Sequence, residues 1–320
     1  MLVGLLCIFL AYNFNSKNTF QVSGYAYGTT WSITSTEYIA DHHEKKIQNI
    51  INNIDMMASN YKPDSEIALI NNSSVNTDLL VSDGLFHILS IAQSISKESD
   101  RHYDITLGKI SSSMGFSPDF EKNVENNPIN RSYKLNKSSQ TVNKNSLFWF
   151  DLSSIAKGYA VQRIHDYLIK NNLPNHLIDI GGEVIINGTN YSEPWKVGIQ
   201  DPNSLTSNPI YIIKNTNASF LSIATSGEYR NFKTNSLGLI DTHTINPNSL
   251  RSIKPDSLSV TVISSKSATY ADGYATAFNA MSVNKSLEIA NANDIALMLV
   301  VQNGSDIELL FSDKWYDFVY

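Results

Sequence analysis

The sequence predicts an α+β fold, in which helices and strands mix without the strict alternation of parallel βαβ units. Three observations support this prediction. Apolar residues recur at helical spacing in several segments, alternating segments typical of strands occur along the chain, and no segment repeats at a fixed period. The chain has 320 residues, 42% of them hydrophobic and 17% charged, so we expect a sizeable core in one large domain or two moderate ones.

The first half of the chain is predicted to begin with a hairpin and to continue mainly with helices. Residues 20–36 alternate in polarity around a turn near Gly28. Apolar stripes, and a turn at Pro63, predict helices over residues 41–58, 65–70 and 84–98. Residues 117–147 are rich in Asn, Ser and Lys, and we interpret them as a surface excursion with one weak strand around residues 133–135.

The second half is predicted to be richer in strands. One helix is expected from about Asp151 to about Asn171, and an Ala-rich helix over residues 267–281. Gly181-Gly182 interrupts an apolar strand, either because the backbone approaches a ligand closely or because the strand has a bulge. Strands are predicted at residues 177–188, 195–199, 210–214, 219–224, 259–264, 295–302 and 307–311.

The N-terminal residues 1–12 are apolar throughout, but they are fewer than the roughly 20 residues of a full membrane span. They resemble the apolar part of a secretory signal or the end of a signal anchor. We therefore expect export, with residues 1–18 as a signal or anchor segment and residues 19–320 as the folded domain. The alternative is a buried N-terminal strand. Because Cys7 is the single cysteine, a disulfide within the chain is impossible.

Several classes of function find no support in the sequence. The net charge of −6 argues against nucleic-acid binding, which needs basic patches. The sequence contains neither a P-loop nor a dinucleotide-binding fingerprint, and its seven histidines do not have zinc-site spacings. His243 stands in a turn before Pro247, where a lone histidine is either structural or catalytic.

Two polar clusters in predicted helices are candidates for a binding site. Asp272 and Thr276 stand four residues apart, so they share a helix face and offer two hard oxygen ligands suited to Mg²⁺. Asp151 is placed to cap a helix whose first turn contains Ser154, and Lys157 follows; a helix start with a nearby Lys is able to hold phosphate. In both clusters the alternative is a capping residue with ordinary surface or core neighbours.

Nine motifs occur in an order that resembles one known family. The chain is similar to the ApbE-type FAD:protein FMN transferases over roughly residues 24–302. The motifs that carry the resemblance are Y-G-T-T-W, S-N-Y-K-P-D-S-E-I, Y-D-I-T-L-G, D-L-S-S-I-A-K-G-Y-A, I-D-I-G-G-E, W-K-V-G-I-Q-D-P, A-T-S-G-E-Y-R-N-F, H-T-I-N-P and A-D-G-Y-A-T-A. The resemblance implies a two-lobed α+β globule, related to the T-fold, with FAD between the lobes.

The resemblance also implies roles for individual residues. Asp272 and Thr276 would bind Mg²⁺ with help from backbone carbonyls near Ser154 and Ala275, and His243 would be the general base. The residues implied to contact FAD are Tyr27, Tyr61, His102, Tyr103, Asp104, Asp151, Lys157 and Ile245. Three positions depart from the family pattern: Tyr27 replaces Met, Met114 replaces Trp, and Asn246 replaces the Asp of H-x-x-D-P.

The function implied by the resemblance is the transfer of FMN from FAD to a Thr or Ser hydroxyl of a target flavoprotein, with Mg²⁺ as cofactor and AMP as product. The expected location is the bacterial cell envelope, anchored in the inner membrane and facing outward, and no nucleic acid is expected as partner. Two alternatives remain open at this stage. One is an exported protein that binds or hydrolyses FAD to scavenge flavin, and the other is a solute-binding protein for which Asp272 and Thr276 are incidental.

Overall fold

An eight-stranded antiparallel sheet forms the centre of the fold. Its strands lie in the order Phe20–Ala26, Thr29–Ser35, His176–Ile180, Glu183–Asn187, Leu221–Gly227, Ser257–Ser264, Ala296–Asn303 and Asp306–Phe311. The computed structural model describes residues 18–116, 130–203, 208–227, 232–234, 240–242, 244–247, 249–304 and 306–318. The mixture of helices with an antiparallel sheet confirms the predicted α+β class. The predicted anchor falls almost wholly outside the described residues.

The strands are β1 (Phe20–Ala26), β2 (Thr29–Ser35), β3 (Leu79–Leu80), β4 (Tyr133–Asn136), β5 (Thr141–Lys144), β6 (His176–Ile180), β7 (Glu183–Asn187), β8 (Thr189–Asn190), β9 (Glu193–Pro194), β10 (Lys196–Gln200), β11 (Pro209–Lys214), β12 (Leu221–Gly227), β13 (Phe232–Thr234), β14 (Ile240–Thr242), β15 (Ile245–Asn246), β16 (Arg251–Ser252), β17 (Ser257–Ser264), β18 (Ala296–Asn303) and β19 (Asp306–Phe311). The helices are α1 (Asp41–Ala58), α2 (Glu66–Asn71), α3 (Asp83–Glu98), α4 (Gly108–Ser113), α5 (Ala156–Lys170), α6 (Ala268–Asn279) and α7 (Val283–Ala292). A short 3₁₀ turn, Asp313–Asp317, follows β19.

Two apolar layers cover the two faces of this sheet, because successive side chains of each strand point to opposite faces. One layer joins Ile33, Ile178 and Val262 of the strands to α1, α3, α5 and α6. The other joins Ile186, Met298 and Val300 to the β10–β11 hairpin and to Trp315, which is fully buried. A small sheet of order β3-β5-β4 lies apart from the main one. None of the helices in the described residues is long and apolar enough to span a membrane.

Local sequence signals predicted the longer elements well. The hairpin turn at Tyr27-Gly28 has φ values of 54° and 74°, in the left-handed region that suits a tight turn between twisted strands. Helix α1 has the predicted bounds, while α2 and α3 begin after Ser65 and Ser82, whose hydroxyls accept backbone N–H bonds as N-caps. The Gly181-Gly182 pair is the turn of the β6–β7 hairpin.

Other predictions about the elements were wrong or incomplete. Helix α5 begins at Ala156 after Ile155, which makes no side-chain cap, so Asp151 is not the helix cap that its position suggested. Its Oδ1 accepts a 3.0 Å bond from the Ser153 N–H instead, which closes a local turn. The sequence patterns also did not predict several elements, among them the short α4 and β5, which have few apolar residues, and helix α7.

A buried histidine pair that joins α5 to β6 predicts sensitivity to acid. His176 Nδ1–H donates to the Leu173 carbonyl (2.8 Å), so its Nε2 accepts the Nδ1–H of His165 at 2.9 Å. Burial lowers the pKa of each ring from 6.5 to about 4. The unfolded chain therefore binds more protons between these values, and stability falls as the pH drops from about 7 to about 4.

The expected loss is up to roughly 3 kcal/mol per histidine, at about 1.4 kcal/mol for each difference of one in pKa. Urea unfolding at pH 7 and pH 4.5 measures it. A His165→Gln/His176→Gln variant is the matched control, because it retains the carboxylates that also titrate in this range. An equal pH dependence in the wild type and in this variant would refute the assignment to the pair.

Candidate functional site

The candidate site lies where α5 crosses α6, the helix with the predicted metal ligands. The crossing is close because Gly158 has no side chain: a Cβ there would lie 2.5 Å from the Ala268 carbonyl oxygen and from the Cβ of Asp272. The Gly158 N–H donates a 2.7 Å bond to Oδ2 of Asp272. The carboxylate of α6 thus binds a free N–H group at the start of α5, where the helix dipole favours negative charge.

Asp272 is only 4% exposed, and burial is the main reason why the pKa of its carboxyl is raised well above the usual range. The nearby carboxylate of Glu183 raises it further, while Lys157 and the Gly158 N–H act in the opposite direction. Among the residues that the structure describes, none donates a hydrogen bond to Oδ1 of Asp272. This oxygen therefore has lone pairs that are able to accept a further bond.

Lys157 and Glu183 form an ion pair beside Asp272, with 2.6 Å between Nζ and Oε2. The Glu183 side chain is buried, while that of Lys157 is partly exposed. Burial acts to lower the pKa of Lys157, but Glu183 and then Asp272 outweigh it, so this pKa is raised. Burial also raises the pKa of Glu183. Two buried carboxylates thus share one ammonium group, an excess of negative charge that is costly without a further cation.

These residues fit a divalent cation such as Mg²⁺. No three His, Cys, Asp or Glu side chains form a ready-made metal cluster within the described ranges. A cation here would therefore take hydroxyl and carbonyl oxygens beside the Asp272 carboxylate, which is the ligand set suggested by Thr276, Ala275 and Ser154. Thr276 is partly buried one turn after Asp272 on the same face of α6.

Ser154 is held next to this cluster by Tyr103. The two hydroxyl oxygens are 2.9 Å apart, and Tyr103 is buried beneath the turn that precedes α5. Burial raises the pKa of Tyr103, and the charges of Asp272 and Asp151 add to the effect. The structure therefore brings together five of the predicted site residues, namely Tyr103, Asp151, Ser154, Lys157 and Asp272.

Tyr61 offers an exposed aromatic face close to Asp151. The side chain is 66% exposed, and its hydroxyl donates a 3.0 Å bond to the Phe116 carbonyl. Burial of the hydroxyl and the charge of Asp151 raise its pKa. A ring that is anchored at its hydroxyl and open on its face is suited to stacking on a flavin or an adenine.

Asp104 and His102 lie in the segment that precedes α4, and hydrogen bonds hold both side chains. Oδ1 of Asp104 accepts bonds from the N–H and the hydroxyl of Thr106, at 2.8 and 2.6 Å. Oδ2 of Asp104 accepts a 3.1 Å bond from Arg131. His102 Nδ1 lies 3.0 Å from the Ser99 carbonyl oxygen, so this nitrogen carries the proton and donates.

The remaining predicted residues lie in other surroundings. Tyr27 packs on the core and donates its hydroxyl to the Ile51 carbonyl of α1 at 2.8 Å, while Ile245 is buried against Leu107 and Ile110. His243 lies outside the described residues. These three assignments stay predictions, as do the other ligand and catalytic roles. A polar cleft of about 550 Å³ on the small sheet, lined by residues such as Asp78 and Lys134, contains none of the predicted site residues.

Sequence reasoning assigned no role to Glu183 or to Arg131. Glu183 was visible only as the last residue of I-D-I-G-G-E, and the Gly181-Gly182 turn places it at the start of β7. Arg131 had no signal at all, because it stands in a segment that is polar throughout. The Glu183–Lys157 contact joins residues 26 positions apart and the Arg131–Asp104 contact joins residues 27 positions apart, and no local pattern records either of them.

The fold has the architecture of solved flavin transferases. The structure of Flavin Transferase ApbE from Vibrio cholerae superposes with a TM-score of 0.80, at 26% sequence identity over 94% of this chain and 100% of that one. A flavinyl transferase ApbE from Pseudomonas stutzeri in its apo form gives a TM-score of 0.82 at 23% identity, over 94% of this chain and 96% of that one. The second likeness supports the fold alone.

The sequence comparisons agree with this class. The sequence model described as ApbE family matches residues 27–299. A protein of Haemophilus influenzae named FAD:protein FMN transferase is 30% identical over 88% of this chain and 86% of its own length. A protein of the same name from Vibrio cholerae is 28% identical over 93% of this chain and 92% of its own length. The chain belongs to the ApbE family.

Proposed function

We propose that this protein transfers the FMN half of FAD to a Thr or Ser hydroxyl of a target flavoprotein, in a Mg²⁺-dependent reaction that forms a phosphoester bond and releases AMP. The general activity, flavin transfer from FAD to a protein, rests on the family and on relatives named FAD:protein FMN transferase. The finer statements rest on one observation above all, the buried cluster of Asp272, Lys157 and Glu183 beside Ser154.

The proposed reaction is a substitution at phosphorus. The acceptor oxygen forms a bond to the phosphorus of the FMN half, and the bond from this phosphorus to the bridging oxygen of the pyrophosphate breaks, so AMP leaves with that oxygen. Asp272 and Thr276, with carbonyl oxygens near Ser154 and Ala275, would hold Mg²⁺, which supplies positive charge for the pyrophosphate oxygens. Lys157 adds a positive charge at the start of α5.

The proton of the acceptor hydroxyl needs a base, and we assign this role to His243, because an imidazole titrates near neutral pH. The flavin or the adenine would stack on the exposed ring of Tyr61. His102, Tyr103, Asp104 and Asp151 would lie along the cofactor, with Tyr27 and Ile245 as further contacts. In this arrangement FAD occupies the space between two lobes of the fold.

The proposal also includes a place in the cell. The apolar residues 1–12 motivate an inner-membrane anchor in the bacterial envelope, with the enzyme and its acceptor, an electron-transport type of flavoprotein, facing the periplasm or exterior. We expect the protein in the membrane fraction, accessible to protease added outside the inner membrane. Recovery of all the protein from the cytosol, with full protease protection in spheroplasts, would contradict this location.

One experiment separates transfer from hydrolysis of FAD, the second function considered from the sequence. Purified protein is incubated with FAD, Mg²⁺ and candidate flavoprotein targets. Mass spectrometry follows the FMN adduct on each target, while chromatography measures AMP and free FMN. We expect adduct and AMP in equal amounts. AMP and free FMN in equal amounts, with no adduct on any target, would instead establish a pyrophosphatase.

A further inference from the structure

Arg131 is a buried cation that links its own segment to two others, the segment of Asp104 and Thr106 and the segment of Pro247. Its side chain is only 7% exposed, although it lies in a stretch of polar residues that the sequence predicted to be a surface excursion. The guanidinium NH2 group lies 3.1 Å from Oδ2 of Asp104 and 3.3 Å from the Pro247 carbonyl oxygen, and Nε lies 3.1 Å from the Thr106 hydroxyl. A planar fork of five N–H donors is needed to make these contacts together.

The Asp104 side of this contact is rigid before Arg131 joins it. Both the N–H and the hydroxyl of Thr106 donate to Oδ1 of Asp104, so the carboxylate has a fixed orientation. The ion pair with Arg131 then has little conformational freedom left to lose. Asp104 and Thr106 therefore form a fixed support. The guanidinium group of Arg131 holds the Pro247 carbonyl in place relative to this support.

The Pro247 side belongs to the H-T-I-N-P motif. Besides its local turn bonds, the described part of this motif, residues 244–247, has contacts with segments that are distant in the sequence. Arg131 bonds Pro247, Asn279 Nδ2 of α6 donates to the Thr244 hydroxyl at 2.9 Å, and Ile245 packs on Leu107 and Ile110. Asn279 lies one turn beyond Thr276, so the motif is tied on one side to the helix with the predicted metal ligands. Arg131 ties it on the other side to the Asp104–Thr106 turn.

We propose that Arg131 is a positioning residue for the reaction at this site: it fixes residues 244–247 of the H-T-I-N-P motif relative to the segment of Asp104 and Thr106, and so sets the alignment of the groups that act on FAD. This inference rests on the proposed function and deepens it. Lysine does not replace arginine here, because one ammonium group lacks the fork that spans a carboxylate, a hydroxyl and a carbonyl oxygen. Misplacement of reacting groups by about 1 Å costs up to roughly 10²-fold in rate.

The test compares the wild type with Arg131→Gln and Arg131→Lys. We expect kcat for AMP release from FAD to fall roughly 10- to 100-fold in Arg131→Gln and less in Arg131→Lys, which keeps the charge. The KM for FAD should change less than about threefold, because alignment rather than binding is lost. Arg163→Gln, which removes an exposed cation paired with Asp166 on α5, is the matched control and should leave kcat unchanged.

Two further readouts separate positioning from simple structural support. Hydrogen exchange of the peptide over residues 244–253 should become faster in Arg131→Gln, while peptides from α1 and β17 keep the wild-type rates. In a double-mutant cycle with His243→Ala, the effect of Arg131→Gln on kcat should largely disappear. Both substitutions would impair the same catalytic function, so their effects are not additive.

The possible outcomes are distinct. Unchanged kcat and unchanged exchange at residues 244–253 in Arg131→Gln would overturn the positioning role. So would a fall in kcat that is additive with His243→Ala and accompanied by faster exchange everywhere. AMP release without any FMN adduct in the wild type would overturn only the transferase proposal, because the effect of Arg131 is measured on AMP. If the wild type releases no AMP, both proposals fail.

Discussion

Asp272→Asn is expected to lower Mg²⁺-dependent flavin transfer at least roughly 10³-fold while the protein keeps its fold. The variant keeps an oxygen that accepts the Gly158 N–H but removes the charge that holds a hard cation. Loss of several kcal/mol of charge stabilisation at the pyrophosphate corresponds to this fall in rate. Asp272→Ala should be equally inactive, and it also leaves the Gly158 N–H without its carboxylate partner. The measurement is the initial rate of adduct formation over a series of Mg²⁺ concentrations.

Thermal unfolding gives a second readout of the same prediction. Burial, and then Glu183, raise the pKa of Asp272, so the folded protein binds this proton more tightly than the unfolded chain does. Without metal, the ionised carboxylate therefore lowers stability increasingly as the pH rises above the ordinary value of 3.8. We expect metal-free Asp272→Asn to be at least as stable as the wild type at pH 7.

Mg²⁺ is expected to make the wild type more stable than Asp272→Asn, because a ligand stabilises only a protein that binds it. At a concentration 100-fold above its Kd it would add about 2.7 kcal/mol to the wild type and nothing to the variant. Asp166→Asn on the exposed side of α5 is the control and should respond to Mg²⁺ like the wild type. Full activity of Asp272→Asn at low Mg²⁺ would show that α6 does not carry the metal site.

His243→Ala is expected to slow transfer by roughly 10²- to 10⁴-fold, the usual range for loss of a general base. The affinity for FAD should remain nearly unchanged, because the proposed role concerns the acceptor proton alone. The wild-type rate should rise with pH as the imidazole loses its proton, and this ascending limb should be absent from the variant. Mass spectrometry of the FMN adduct, together with AMP release, measures both effects.

The control for this prediction is His42→Ala, an exposed histidine at the start of α1. Unchanged transfer in His243→Ala would remove the base assignment and leave flavin transfer itself in place. A rise in free FMN in this variant would mean that water replaces the protein acceptor when the histidine is lost.

Asn246 stands where the resemblance noted in the sequence implies Asp, and the structure gives it a local role. Its Oδ1 accepts a 2.9 Å bond from the Ser249 N–H, and its carbonyl accepts one from the Leu250 N–H at 2.8 Å. An amide oxygen closes this turn as a carboxylate would. The replacement therefore preserves the shape of the turn, while the negative charge of the usual Asp is absent.

The sequence alone determined the elements whose signals are local. Helix α1 and the β1–β2 hairpin were predicted almost to the residue, because a long apolar period and a turn glycine depend on neighbours in the chain. The family motifs likewise predict Asp272, Lys157, Ser154 and Tyr103 as site residues, and these roles stay predictions. The elements that were missed, among them α4, β5 and α7, are short, and their stability comes from packing against distant segments rather than from a long pattern of their own.

The tertiary structure decided which of these residues come into contact and which charged groups lie close together. Helix α5 starts five residues after Asp151, so Lys157 lies in its first turn and Gly158 lies against Asp272. The Gly181-Gly182 turn brings Glu183 to Lys157, although 26 residues separate them. The excess negative charge at the helix crossing, and the tie from Arg131 to Pro247, exist only because the chain folds these segments together. Burial then makes each unpaired charge costly, a cost that depends on depth in the fold rather than on position in the sequence.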